Sequence, residues 1–137
     1  MKVSSEPTAA AEDVKFVEEG LSRFNFNANG ISDRTVPVNI FLRTDEGEIK
    51  GGLIGGMQGG WLHIATLWVD EEHRRNDHSM ELMRIAEARA SGCNYVALGI
   101  FEFQAPTFYE RLGYECFGAL NDHPVGHTHY HMYKRLT

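Results

Sequence analysis

The spacing of apolar side chains changes along the chain, and each change marks an element. Val14, Val17, Leu21 and Phe24 recur at intervals of three and four, the stripe of an amphipathic helix that starts near Glu12 and ends near the turn-forming segment Asn25 to Gly30. VPVNIFLRT then alternates apolar with polar residues and is rich in β-branched types, which predicts a strand from Val36 to Thr44. Asp45-Glu46-Gly47 reverses the chain, a second strand follows from Ile49 to Gln58, and Gly59-Gly60 turns it again. WLHIATLWV supplies a third strand, Trp61 to Val69, so the first half reads as an antiparallel meander. The period then lengthens: Leu82, Ile85, Ala86, Arg89 and Ala90 fit a helix over Asp77 to Ser91, closed by Gly92. NYVALGIF, from Asn94 to Phe101, is the near-continuous apolar run of a strand buried on both faces. A short helix runs from Pro106 to Leu112 and stops at Gly113, with proline in the first turn. Strands from Tyr114 to Leu120 and from Thr128 to Arg135, joined by the Asn121 to His127 loop, complete the order. A meander whose helical crossover returns to a buried strand makes an α/β sandwich, a mixed, largely antiparallel central sheet flanked by helices.

Composition narrows the picture. A chain of 137 residues with 42% hydrophobic content can build one core, so residues 1–137 are expected to form a single domain, with residues 1–11, small and polar, flexible. Thirteen Lys and Arg against nineteen Asp and Glu leave a net charge of -6, which repels phosphate backbones and favours amine-bearing partners. Nucleic acid is excluded as the main ligand. MKVSSEPTAAAEDV lacks the apolar stretch of a secretory signal and no segment has the length of a membrane span, so a cytoplasmic protein without membrane partners is expected. Cys93 and Cys116 stand alone without Cys-x-x-Cys spacing and are expected to be reduced, packed thiols.

Two stretches carry a resemblance. LWVDEEHR, from Leu67 to Arg74, looks like the strand end and cofactor-loop entry of Gcn5-related N-acetyltransferases, and FEFQAPTFYERLGYECFG, from Phe101 to Gly118, resembles their aromatic turn, short helix and FYxxLGY signature. The GGLIGG segment, Gly51 to Gly56, and the Pro124 to Gly126 loop sit where a bacterial small single-domain branch has them, so the match covers residues 14 to 136. That resemblance implies a sheet that splays where the third and fourth strands part. Backbone groups freed there would hydrogen-bond the pantetheine arm of acetyl-CoA, bound as a co-substrate. It implies an amine attacking the thioester directly, an oxyanion held by an amide near Leu67, Trp68 and Val69, and Tyr109 as the acid toward the departing thiolate. Cofactor contacts are implied for Arg74, Arg75, Asn76, Asp77, His78, Ser79 and Pro106, the loop feeding a helix N-terminus suited to a pyrophosphate.

The loop departs from the family pattern. Where relatives carry glycine or alanine, this chain has Arg75, Asp77 and Ser79 in the string Arg74-Arg75-Asn76-Asp77-His78-Ser79. Glycine there permits positive φ without a Cβ penalty of about 1 kcal/mol. A carboxylate ~5 Å from a phosphate charge costs about 1 to 3 kcal/mol for dielectrics between 80 and 20, roughly ten- to a hundredfold in affinity. Two readings follow. Either Asp77 points to solvent while Arg74 and Arg75 hold the pyrophosphate, or its carboxylate caps the helix and imitates the missing cofactor.

Other candidates are weaker. His127, His129 and His131 alternate along one predicted strand, but three neighbouring imidazoles on one strand do not readily converge on a tetrahedral ion and no acidic residue neighbours them, so no metal is expected. GGLIGGMQGG fits neither GxGxxG nor GxxxxGK[ST], and close packing of a strand explains it better than a nucleotide loop. His63, Glu72 and Glu102 are each conceivable bases and none is assigned. Phe103 and Gln104 are candidates for the acceptor pocket, while Trp61 and Trp68 are expected to serve the core and sheet. The expectation is an N-acetyltransferase acting on a small amine, and pairing of the last strands among relatives implies a homodimer. A catalytically silent protein of the same fold, binding a small ligand or a protein partner, is the alternative.

Overall fold

In the computed structural model, residues 1–136 are described; Thr137, the last residue of the expected domain, lies outside them. The chain divides into one unit spanning Met1–Arg34 and a second that begins at Thr35.

The first unit is built on helix α1, Ala11–Asn29. Glu12 and Asp13 in its first turn complement the positive end of the dipole. It ends within the expected Asn25 to Gly30 segment, at its far end, where Gly30 stops it. Gly30 takes φ 71° and donates its N–H to Phe26 O at 2.7 Å. No residue of α1 is buried.

The second unit is a six-stranded mixed sheet with helices. Strands β1 (Val36–Arg43), β2 (Ile49–Gln58) and β3 (Trp61–Val69) form the meander, and helix α2 (His78–Arg89) leads to β4 (Tyr95–Phe101). Helix α3 (Pro106–Arg111) and the hairpin β5 (Glu115–Asn121) and β6 (Thr128–Arg135) follow, with 3-10 turns at Glu71–His73 and Glu102–Gln104. Spatial order is β1-β2-β3-β4-β6-β5, with β3 and β4 parallel and every other pair antiparallel. The elements match the alternation and period changes of the sequence.

One face of the sheet carries the core. Register places Val38, Leu53, Leu62, Val96 and Met132 on that face, against Leu82, Met83 and Ala86 of α2. Tyr114 on the chain entering β5 donates its hydroxyl to Glu87 Oε1 at 2.8 Å, and Lys134 of β6 reaches the same carboxylate at 3.1 Å, fixing the C-terminal half of α2. Cys93 is buried, but Cys116 is exposed, contrary to expectation: it lies opposite Met132 on the core face, yet on edge strand β5, whose side chains are left almost all exposed. Trp68 is a second correction: at 51% exposure it belongs to no core, because its position in β3 points it to the face opposite α2. No helix among the described residues is long and apolar enough to cross a membrane.

The local feature that positions the site is a bulge in β3. Ile54 faces Thr66 and Gly55 faces Ile64, so Ala65 is an extra residue without a partner. A bulge bends its strand and raises the local twist. The β3–β4 pairing ends at the same point, with Ile64 opposite Leu98. Glycine is required beside the bulge, because a Cβ at Gly55 would lie 2.5 Å from His63 O. Gly55→Ala is therefore expected to destabilise the protein by about 1 to 3 kcal/mol, read as a lower midpoint in urea. Gly118→Ala, where a Cβ meets nothing within 4 Å, is expected to leave that midpoint unchanged or slightly raised.

Candidate active site

Beyond Ile64 and Leu98 the two parallel strands diverge, and the groups of β3 that would have met β4 lose their ladder partners. The gap opens into a cleft of about 660 Å³. Ile64 to Val69 form one wall and Leu98 to Ile100 the other, while Phe103 to Ala105, Phe108 and Tyr109 close the end and Arg74 and Ser79 border the entrance of α2. The strand walls present alternating faces, so the cleft passes through the sheet: Leu67 and Val69 look toward the helices, Thr66 and Trp68 toward the other side.

The loop into α2 has an unusual backbone. Arg75 takes φ 69° and Asp77 φ 60°, both in the left-handed region that glycine adopts freely. Asp tolerates that region better than most residues, and Arg75 carries a cost of about 1 kcal/mol. Strain of this kind persists where the surrounding structure demands it, and it concentrates at ligand clamps. Asp77 occupies the N-cap position of α2, yet its side chain accepts no hydrogen bond from the helix amides. Only its carbonyl takes part, accepting from Glu81 N–H at 3.0 Å. The carboxylate does not take the place of an anion, and the dipole end of α2 stays available to one. Arg74 is held at the rim by its Nε, which donates to Val69 O at 2.9 Å. The rest of its guanidinium fork remains for bidentate recognition.

Tyr109 lies on α3 and borders the cleft while being 8% exposed. Its ring packs edge-on against Phe108 at 5.0 Å and Tyr114 at 6.1 Å. Burial raises the phenol above its ordinary pKa, so it keeps its proton and can donate it. The turn before α3 is shaped by Gln104, whose Oε1 accepts from Phe101 N–H at 2.8 Å, and by Ala105 at φ 58° ahead of Pro106.

A second group of side chains gathers where β4 and β6 end. Glu102 takes His127 Nδ1 at 2.6 Å on one oxygen and the Thr128 N–H on the other. The Thr128 N–H first, and then His127, hold the Glu102 carboxyl below the usual range. No acid adjoins His127 in sequence; the fold brings one from 25 residues away. His127 itself precedes β6, so only His129 and His131 of the expected triplet stand on the strand, on one face with Gly99 and Phe101 of β4. Their rings lie 4.7 Å apart, with His123 5.0 Å from His129. Among the described residues no three His, Cys, Asp or Glu side chains converge in a way that could hold a metal ion.

Of the residues expected at the site, Leu67, Trp68, Val69, Arg74, Ser79 and Tyr109 border the cleft, as do the pocket candidates Phe103 and Gln104. Arg75, Asn76, Asp77 and His78 form the loop without bordering it, and Pro106 starts α3 between two residues that do. Ala65 and Gly99 were not singled out. An isolated glycine inside an apolar strand is the one hint the sequence carried for Gly99.

The comparisons agree with this architecture. The acetyltransferase (GNAT) domain model matches residues 37–116. Blasticidin-S acetyltransferase of Streptomyces morookaense is 40% identical over 95 residues, 67% of this chain and 70% of its own. An acetyltransferase of Agrobacterium fabrum is 32% identical over 130 residues, 93% of this chain and 94% of its own. The crystal structure of an acetyltransferase from Bacillus cereus, 30% identical, aligns with a TM-score of 0.85 over 96% of this chain and 97% of its own. With a sheet split between its two parallel strands and a helix N-terminus facing the gap, the chain belongs to the GNAT acetyltransferase family.

Proposed function

We propose that the protein is an N-acetyltransferase that moves an acetyl group from acetyl-CoA to the amine of a small molecule. The observation that carries this reading is the uncapped start of α2. Arg75 and Asp77 hold left-handed backbone where glycine is the easy residue, and the Asp77 carboxylate leaves the helix amides alone. A loop shaped in this way, with Arg74 beside it, suits the pyrophosphate of a coenzyme A thioester. A silent protein whose aspartate replaces the phosphate would instead need that carboxylate on the amides.

The chain's own groups supply the remaining roles. Amides of β3 beyond Ile64 that face β4 are without ladder partners and can pair with the pantetheine arm and hold an oxyanion. Tyr109, kept protonated by burial, donates to the departing sulfur. A net charge of -6 favours a cationic acceptor, and an antibiotic acetyltransferase among the relatives supports a small amine such as an aminated antibiotic, a polyamine, an amino sugar or an amino acid. Edge strand β5 leaves one ladder free to pair with a second copy, in line with a homodimer.

Thiol release from acetyl-CoA, followed with a panel of such amines, is expected to show turnover with at least one of them; silence across the panel, together with no cofactor binding, would overturn the reading. Asp77→Gly removes a negative charge and relaxes the backbone, and is expected to tighten acetyl-CoA by about ten- to a hundredfold in calorimetric titration. Tyr109→Phe is expected to lower kcat by about a hundredfold or more with little change in cofactor affinity, and an unaltered kcat would remove Tyr109 from the mechanism.

A further inference from the structure

Direct attack requires an uncharged amine, and an aliphatic amine arrives protonated at neutral pH. Something at the acceptor side must take that proton. The three bases that the sequence offers do not meet the need. His63 stands opposite Ala97, within the paired part of β3 and β4 and below the divergence, stacked on Trp61 at 6.3 Å. Glu72 sits in the exposed 3-10 turn after β3, beside the entrance of α2 that suits the donor's pyrophosphate and so away from the acceptor side. Glu102 has both oxygens committed, to His127 and to the Thr128 N–H, which makes it a poor proton acceptor.

His129 is placed differently. A Cβ at Gly99 would stand 2.8 Å from both Cε1 and Nε2 of His129, so the edge of the imidazole rests on the backbone of Gly99. Gly99 is a wall residue of the cleft. Register puts His129 on the sheet face opposite the core, the face onto which Trp68 and Thr66 also open. The pyrophosphate end of the donor belongs to the helix face, so an acceptor that does not cross the donor's path enters from the face where His129 lies. The ring is oriented by Phe101 at 4.8 Å, His131 at 4.7 Å and His123 at 5.0 Å. Its Nδ1 is shielded from solvent without a hydrogen-bond partner, which leaves Nε2, the atom beside Gly99, as the nitrogen that can meet an acceptor.

Resting on the transferase reading above, we propose that His129 accepts the proton of the acceptor ammonium at the cleft mouth beside Gly99, with His123 and His131 positioning its ring. The ammonium gives one proton to His129, which releases it to solvent. The freed nitrogen attacks the thioester carbon, the C–N bond forms and the C–S bond breaks. Sulfur leaves with the Tyr109 proton, and the phenol regains a proton from the newly acylated nitrogen, so the products are the amide and the free thiol. Burial chiefly, then His131 and His123, hold the His129 pKa below the ordinary value, which keeps the ring neutral and ready. Those two imidazoles are the titratable groups that face it; Glu102, the acid of the cluster, is hydrogen-bonded to His127 and to the Thr128 N–H.

The test is the pH profile of kcat for wild type, His129→Gln and His129→Ala with one accepted amine. At pH 7 both variants are expected to lose about 10²- to 10³-fold in kcat while binding acetyl-CoA as wild type does, which also reports that the cleft is intact. The deficit should shrink as pH approaches the pKa of the amine, and added imidazole should restore part of the rate of His129→Ala. Gly99→Ala, which displaces the ring without removing it, should show the same pH-dependent deficit in milder form. Variants as fast as wild type, or a deficit that is constant with pH and not relieved by imidazole, would overturn the role of His129 while leaving the transferase reading in place. A wild type that turns over no amine would remove both.

Discussion

The whole arrangement depends on the parallel pairing of β3 and β4 stopping after four residue pairs, Trp61 to Ile64 against Tyr95 to Leu98. Backbone N–H and C=O groups rarely stay unpaired in a protein interior, so a sheet that opens must offer those groups to something else. Here the opening is built in by the bulge at Ala65, which Gly55 permits by having no side chain in the path of His63 O. Once the strands part, α2 and α3 stand on either side of the gap. Each brings one chemical resource: a helix N-terminus with arginine beside it, and a buried phenol.

The loop before α2 shows how a family frame absorbs unfavourable residues. Glycine would give the backbone shape without cost, yet Arg75 and Asp77 adopt it at φ 69° and 60°. The conformation is thus imposed by the surroundings of the loop and not by the residues themselves. Charge partly offsets the loss, since Arg74 and Arg75 flank a position where glycines would leave only amides.

Much of this was legible in the sequence. Alternation with paired glycine turns gave the meander, the change of period at Leu82 gave α2, and the FYERLGY stretch placed α3 with Tyr109. The end of α1 was legible as a segment, Asn25 to Gly30, and within it the glycine in left-handed conformation sets the stop. For Trp68 and Cys116 side-chain type points to packing, but type says nothing of the face or edge a strand residue occupies. Least legible were contacts joined only by the fold. Glu102 meets His127, and His129 meets Gly99, across strand pairings that no local spacing encodes. The positive φ at Arg75 was hinted at only by the glycine of the family pattern, since the residue itself states what it prefers and not what its neighbours force.

The most direct measurement of the central claim is an amide-resolved NMR titration of the labelled protein with acetyl-CoA. The largest shifts are expected on the first turn of α2, residues 78 to 81, and on β3 beyond the bulge, residues 66 to 69, while β1 and β5 stay silent. Unmoved amides in both segments at millimolar acetyl-CoA would contradict that claim.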